Sequence, residues 1–246
     1  MIVDANANVG PTLYDDFECD PSLDGVWDAL RAAGVDRAVL APLKPRSFDF
    51  DAANASLAAR IAGREEFVGI ARIDPRVDGS EEQADRALAE YGLRGLKLHP
   101  WEETYPITAE IVPPVVEVAR DHDVPVWIHA GYPGVSHALS IRRLVSRYPD
   151  VRFVLTHGSQ LDISGLSLTD AMLLAEETEN TYFELSGVYR RDLVEDLVET
   201  IGPERVLFGT NVPYFHPTVE KSRVTTADIP AEAKEQVLGG AIEALL

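Results

Sequence analysis

The chain has 246 residues, is 46% apolar, and carries 41 Asp and Glu against 22 Lys and Arg, a net charge of −19. A surface this acidic repels nucleic acid and anionic membranes, and the single cysteine, Cys19, excludes an intrachain disulfide and a cysteine-cluster metal site. No run approaches the roughly 20 apolar residues of a membrane helix, and the N-terminus lacks a basic start followed by an apolar block, so a cytoplasmic location is expected.

The predicted elements begin with a short apolar strand at residues 2–4, running into Ala5-Asn6-Ala7-Asn8-Val9-Gly10. Strand side chains alternate, so Asn6 and Asn8 point the same way. Asparagine is also common in turns after strands, which is the simpler reading of this segment alone. A helix then runs from Pro21 to about Ala33, with Gly34 as its stop. Further strand-like runs lie at 37–41, 67–73, 95–98, 124–128, 151–156, 181–185 and 205–208. They alternate with helix-like segments at 51–62, 80–91, 109–122, 137–148, 168–177, 191–201 and 231–245. Pro149 ends the fifth helix and Gly202-Pro203 the seventh. Eight βα units in this length predict an α/β fold, a (β/α)8 TIM barrel forming one domain over residues 1–246. An open doubly wound sheet is the runner-up. No Gly-x-Gly-x-x-Gly follows any strand, which weighs against a dinucleotide fold.

In a barrel the chemistry gathers at the C-terminal strand ends. Read in order, those ends carry Asn6 and Asn8, then Lys97 and His99, His129, His157, Glu184 and Ser186, and Asn211. Any one of these histidines suits a structural role. Three on consecutive strands at one mouth point to a site. The others are less informative: His122 lies near a helix C-terminus, His137 at a helix start, and His216 in a loop after the last strand, within possible reach of the pocket. Trp101, Tyr105, Tyr132, Tyr189, Tyr214 and Phe215 follow strand ends as candidate pocket walls, with packing between loops as the alternative for each. Arg190 and Arg191 are candidates to face a substrate anion, or to be solvated helix charges.

These motifs resemble the amidohydrolase superfamily, in its amidohydrolase-related branch of hydrolases, lactonases and decarboxylases. The resemblance spans nearly the whole chain through residues 95–100, 128–131, 155–158, 182–187 and 207–211, and the closing Val237-Leu238-Gly239-Gly240. It implies a site built from His-x-His on the first strand, histidines on the fifth and sixth, and an aspartate ending the eighth. In metal-dependent members these hold zinc or a similar ion, which acidifies a bound water. Carried onto this chain, the metal positions are Asn6, Asn8, His129, His157 and Asn211. Three of the five are neutral asparagines, so zinc or another divalent ion is expected to bind weakly, and Asn211 accepts no proton.

The resemblance places a hydrolase acting on a small molecule first. His129, His157 and Asn211 are the candidate catalytic residues, and Lys97, His99, Glu184, Trp101 and Tyr132 the candidate substrate contacts. Glu184, Asp162 and Lys97 join the histidines as sources of acid, base and electrostatic help. Alternatives are a non-catalytic small-molecule-binding relative, a decarboxylase or lactonase with a remodelled or absent metal site, and a three-histidine zinc set of His99, His129 and His157. A metal-dependent nuclease barrel fits the acidic surface poorly. A small-molecule partner is expected, without nucleic acid or membrane, and a homo-oligomer remains open. Only four lysines, Lys44, Lys97, Lys221 and Lys234, stand among the many acids, a composition expected of a protein adapted to high salt.

Overall fold

All seven residues of β1 (Val3–Val9) are buried. That is the mark of a strand covered on both faces, as in parallel sheets flanked by helices. The computed structural model describes residues 1–161 and 164–246, with Arg191 described by its backbone alone. Asp162 lies outside the described residues.

The strands β1, β2 (Arg37–Pro42) and β3 (Phe67–Gly69) pair in parallel, in that order. A second parallel sheet runs through β4 (Ala71–Arg72), β5 (Leu96–Leu98), β6 (Val126–Ile128), β7 (Phe153–Leu155), β8 (Thr181–Glu184) and β9 (Val206–Leu207). β3 and β4 are one strand interrupted at Ile70, whose amide still bonds Leu40 O at 2.9 Å, while Ala71 N turns to Gly95 O at 2.8 Å. The other seam is closed by Ala5 N to Phe208 O at 2.9 Å and Asn211 N to Asn6 O at 2.7 Å. Buried Asp4 fastens the same seam, accepting from Thr210 N at 3.0 Å and Thr210 Oγ1 at 2.5 Å. Eight strand positions thus form the (β/α)8 barrel.

The helices are α1 (Leu23–Ala32), α2 (Phe50–Ile61), α3 (Ser80–Ala89), α4 (Val112–Asp121), α5 (Ala138–Val145), α6 (Gly165–Glu177), α7 (Arg191–Ile201), α8 (Pro217–Thr225), α9 (Ala231–Glu235) and α10 (Ala241–Leu245). Their apolar faces build the larger core cluster against the strands; Val26 and Leu30 of α1 and Val115, Val116 and Ala119 of α4 are fully buried. A smaller cluster joins Val39, Ala41, Ile70, Trp127, Val154 and Leu207 to Ala241, Ile242 and Leu245 of α10. Trp127 reaches across from β6 to β1, donating its indole N–H to Ala5 O at 3.0 Å. This plug fills the floor of the barrel and leaves the C-terminal strand ends for the polar residues.

Three elements differ from the sequence expectation. The first strand runs on to Val9 instead of stopping at Asp4, because the asparagine side chains that interrupt its apolar pattern find polar partners inside the barrel. α8 was not expected. It is short and mixed in polarity, and its legible signal is Pro217 at its first position after the capping His216. The closing helix at 231–245 is broken into α9 and α10 by a π-turn at Gln236–Gly240.

Candidate active site

Two backbone features set the mouth of the barrel. Asn211, just beyond β9, adopts φ 50°, a left-handed conformation that asparagine tolerates better than most residues. His157, Gly158 and Ser159 follow β7 with φ values of 61°, 58° and 57°. Consecutive residues in this region are strained and persist where surrounding contacts hold them, a pattern that clusters at functional sites.

Lys97 of β5 is the centre of the polar cluster. Its side chain is buried, and its Nζ donates to Asn6 Oδ1 at 2.9 Å and Asn8 Oδ1 at 2.7 Å. The asparagines pass these bonds on. Asn6 Nδ2 donates to Glu184 Oε2 at 3.0 Å, and Asn8 Nδ2 to Asn211 Oδ1 at 2.8 Å. Glu184 ends β8 and is also buried; it accepts from Ser186 N at 2.5 Å, Ser186 Oγ at 2.9 Å and His157 N at 3.4 Å. Gly209 leaves room for it, since a Cβ there would meet Glu184 Oε1 at 2.3 Å. Burial drives both charged groups toward neutrality: it lowers the Lys97 pKa, with the Arg72 guanidinium adding to the effect, and raises that of Glu184. Hydrogen bonding opposes this. Three N–H donors, Ser186 N, His157 N and Asn6 Nδ2, converge on Glu184 and favour its carboxylate, which Asn6 links to Lys97 Nζ.

The histidines form a second chain. His157 Nδ1 lies 2.8 Å from Ser186 O, and a carbonyl only accepts, so Nδ1 carries the proton. His157 Nε2 then accepts from His129 Nδ1 at 3.2 Å. His129 Nε2 is left with a lone pair and no protein partner among the described residues. His99 Nδ1 accepts from Glu102 N at 3.2 Å, which puts its proton on Nε2, 3.8 Å from Glu102 Oε1. Burial pushes all three histidines below the ordinary value, His157 to about 4. All three are neutral at pH 7.

Above them a cavity of about 350 Å³ opens at the mouth, lined by Tyr14, His99, Trp101, Glu102, His129, Tyr132, His157, Leu161, Asn211, Tyr214 and Phe215. One wall is a stack of rings. Trp101 lies on Tyr132 at 4.5 Å and 4°, Tyr132 on His129 at 5.5 Å and 25°, and His129 on His99 at 3.8 Å and 13°. Glu102 stands between the pocket and buried Arg72, which also holds Glu103 Oε1 at 2.6 Å. Tyr214 donates to Glu102 Oε1 at 3.3 Å. A cavity of about 370 Å³ beside α2 is more apolar and contains none of these groups.

The structure therefore brings His99, Trp101, His129, Tyr132, His157 and Asn211 to one pocket and places Lys97, Glu184, Asn6 and Asn8 beneath it, not in its lining. Among the described residues no three His, Cys, Asp or Glu side chains converge as a metal requires. The three-histidine set is corrected on this point: His99 and His129 stack face to face, and His129 and His157 bond to each other through ring nitrogens. Tyr105 is buried in the larger core, and Tyr189 is exposed, its hydroxyl 3.3 Å from Gln160 Nε2. Arg190 pairs with Asp192. His216 caps α8, accepting from Thr218 N at 3.3 Å, and is absent from the pocket lining. Glu102 and Tyr14 are pocket residues that sequence reasoning missed. Glu102 was within reach of it, three residues past His99 in a strand-end loop; Tyr14 lies in a loop without a motif.

The amidohydrolase family model matches residues 19–246. The chain belongs to the amidohydrolase family. Among solved structures it is similar to 5-carboxyvanillate decarboxylase from Sphingomonas paucimobilis, at 18% identity and a TM-score of 0.77 over 99% of this chain and 98% of that one. It is similar to 2,6-dihydroxybenzoate decarboxylase from Rhizobium, at 16% identity and a TM-score of 0.76 over 100% and 98%. It also resembles a dihydroxybenzoic acid decarboxylase from a Polaromonas species, solved with bound manganese and the inhibitor 2-nitroresorcinol, at 15% identity and a TM-score of 0.75 over 99% and 96%. None of the curated proteins compared matches the sequence. Among the described residues of this amidohydrolase-family chain, no helix is long and apolar enough to cross a membrane.

Proposed function

We propose that the chain is an enzyme that removes the carboxylate of a small planar aromatic acid without a divalent ion. The observation that carries the reading is the Lys97 ammonium held by Asn6 and Asn8, which stand where the family resemblance puts two metal-binding histidines. Those amide oxygens are already taken by a cation, and Asn211 brings no charge. A divalent ion would find two neutral imidazoles, already bonded to each other, and a repelling ammonium beside its vacant ligand positions. The donor set does not fit the metal, and no step is derived through one.

The replacement of the strand-eight carboxylate by Asn211 favours decarboxylation over hydrolysis. Hydrolysis needs a group to take a proton from water, but Asn211 has no basic site and the buried imidazoles are held well below the usual histidine range. Decarboxylation needs no activated water. The bond between ring and carboxyl carbon breaks, its electron pair stays on the ring carbon, carbon dioxide leaves, and the ring carbon takes one proton. Of the groups lining the pocket, His99 carries an exchangeable proton on Nε2. The ring stack suits a flat substrate, and the similar folds of three aromatic acid decarboxylases support the same substrate class. A binding protein without turnover is the second reading, favoured by Asn6 and Asn8, whose amides are bonded at both ends.

The test is incubation with a panel of hydroxybenzoates in chelator, following carbon dioxide release and, in deuterium oxide, deuterium entry at the vacated ring carbon. Ester or lactone hydrolysis without carbon dioxide release would overturn the decarboxylase reading. Saturable binding without either reaction would favour the binding protein.

A further inference from the structure

We infer that Lys97, Asn8 and Asn211 form a directed hydrogen-bond relay that presents a polarised amide donor to the pocket, and that this donor receives the carboxylate or oxyanion of the ligand. The inference rests on the aromatic acid reading and deepens it by assigning the group that binds the acid.

The direction of the relay is forced by its first member. An ammonium only donates, so the Asn8 atom 2.7 Å from Lys97 Nζ must be its oxygen. The Asn8 nitrogen is then fixed on the other side, where it donates to Val212 O at 3.3 Å and to Asn211 at 2.8 Å. The Asn211 atom receiving that bond must in turn be its oxygen. Asn211 Nδ2 is left as the free end, in a residue that lines the pocket, and no protein acceptor meets it among the described residues. The lysine therefore decides two amide orientations that would otherwise be ambiguous.

The result inverts the polarity of this position. The family resemblance puts a carboxylate here, a hydrogen-bond acceptor. This chain puts an N–H donor, backed through two amides by a buried positive charge. Hydrogen bonds in a chain polarise one another, and low-dielectric surroundings strengthen them. A donor so placed prefers an anionic oxygen to a neutral one. Its surroundings complete the selection: the ring stack holds a flat ligand body, and the His129 Nε2 lone pair accepts from a hydroxyl beside the acid. The chemistry selected is an aromatic carboxylate with a neighbouring hydroxyl.

The experiment uses the full chain in chelator and compares two probes of the same shape, 2,6-dihydroxybenzoate and 2,6-dihydroxybenzamide, titrated by ligand-observed NMR. The native protein should prefer the acid by at least about tenfold, as expected for a charge-assisted over a neutral hydrogen bond. Asn211→Asp keeps the shape and the bond from Asn8 but replaces the donor with an anion, and should turn the preference toward the amide. Asn8→Asp keeps the contact with Lys97 but removes the N–H that orients Asn211, whose Nδ2 then turns to the new carboxylate, and should abolish the acid preference. Equal binding of both probes by native protein, binding of neither, or an acid preference that survives Asn211→Asp each overturns the inference. Failure of the function reading is a separate result: the native acid preference and its reversal would stand, with no carbon dioxide released.

Discussion

The coupling of Lys97 to Glu184 through Asn6 sets a measurable energetic expectation. The ammonium reaches Asn6 Oδ1 at 2.9 Å, and Asn6 Nδ2 reaches the carboxylate at 3.0 Å, all three side chains being buried. Removing one partner of a buried pair strands the other charge, which costs about 3–5 kcal/mol. Lys97→Met and Glu184→Gln should each lose stability on that scale, a large part of the roughly 5–15 kcal/mol that holds a typical domain together. The double variant strands no charge. It should therefore lose less than the sum of the singles, by about 2 kcal/mol or more. Urea unfolding of the four proteins at pH 7, read by circular dichroism, gives the cycle. Single losses that add to within about 0.5 kcal/mol would show that the two residues do not act as a pair, and the ionised cluster described above would be wrong.

Acid should expose the buried histidines: between pH 6.5 and about 4 the unfolded chain binds a proton that folded His157 does not, so this residue makes stability fall as pH falls. The slope from His157 is about 1.4 kcal/mol per pH unit, and His157→Gln should flatten the stability–pH curve by that amount in urea melts across this range. Gly131 has φ 91°, and a Cβ there would meet Leu161 N at 2.3 Å and Gln160 N at 2.8 Å, so Gly131→Ala should lower the melting temperature and weaken ligand binding at the pocket wall; unchanged calorimetric and binding values would refute this. Restoring the family ligand set with Asn6→His, Asn8→His and Asn211→Asp should give weak manganese or zinc binding while the ammonium remains. Adding Lys97→Met should tighten it by at least about tenfold in calorimetric titrations, and equal affinity of the triple and quadruple variants would refute the role given to Lys97. If the net charge of −19 reflects adaptation to high salt, molar potassium chloride should raise the melting temperature by screening repulsion; an unchanged midpoint would remove that expectation.

The barrel was legible in the sequence because each strand is a short apolar run and most helices carry an apolar stripe, patterns set by local periodicity. Apolar runs such as 126–128, followed directly by His129, and 153–155, followed by Thr156 and His157, place a histidine at a strand end without any knowledge of its neighbours. The first strand was read too short and α8 was missed because a polar interruption and a mixed face erase that periodicity. The same local logic marked Asn6, Asn8, His99, His129, His157 and Asn211 as members of one mouth. What each does there was decided by tertiary structure. Lys97 on its own strand reads as a pocket cation; only the closed barrel, which brings residues 91 and 89 positions away in sequence onto its Nζ, turns it into a buried partner of Asn6 and Asn8. The tautomers of the histidines, the orientation of the asparagine amides and the ionisation of Glu184 likewise depend on partners from other strands. Hydrogen-bond direction and desolvation are properties of the assembled interior, and no local pattern in the chain encodes them.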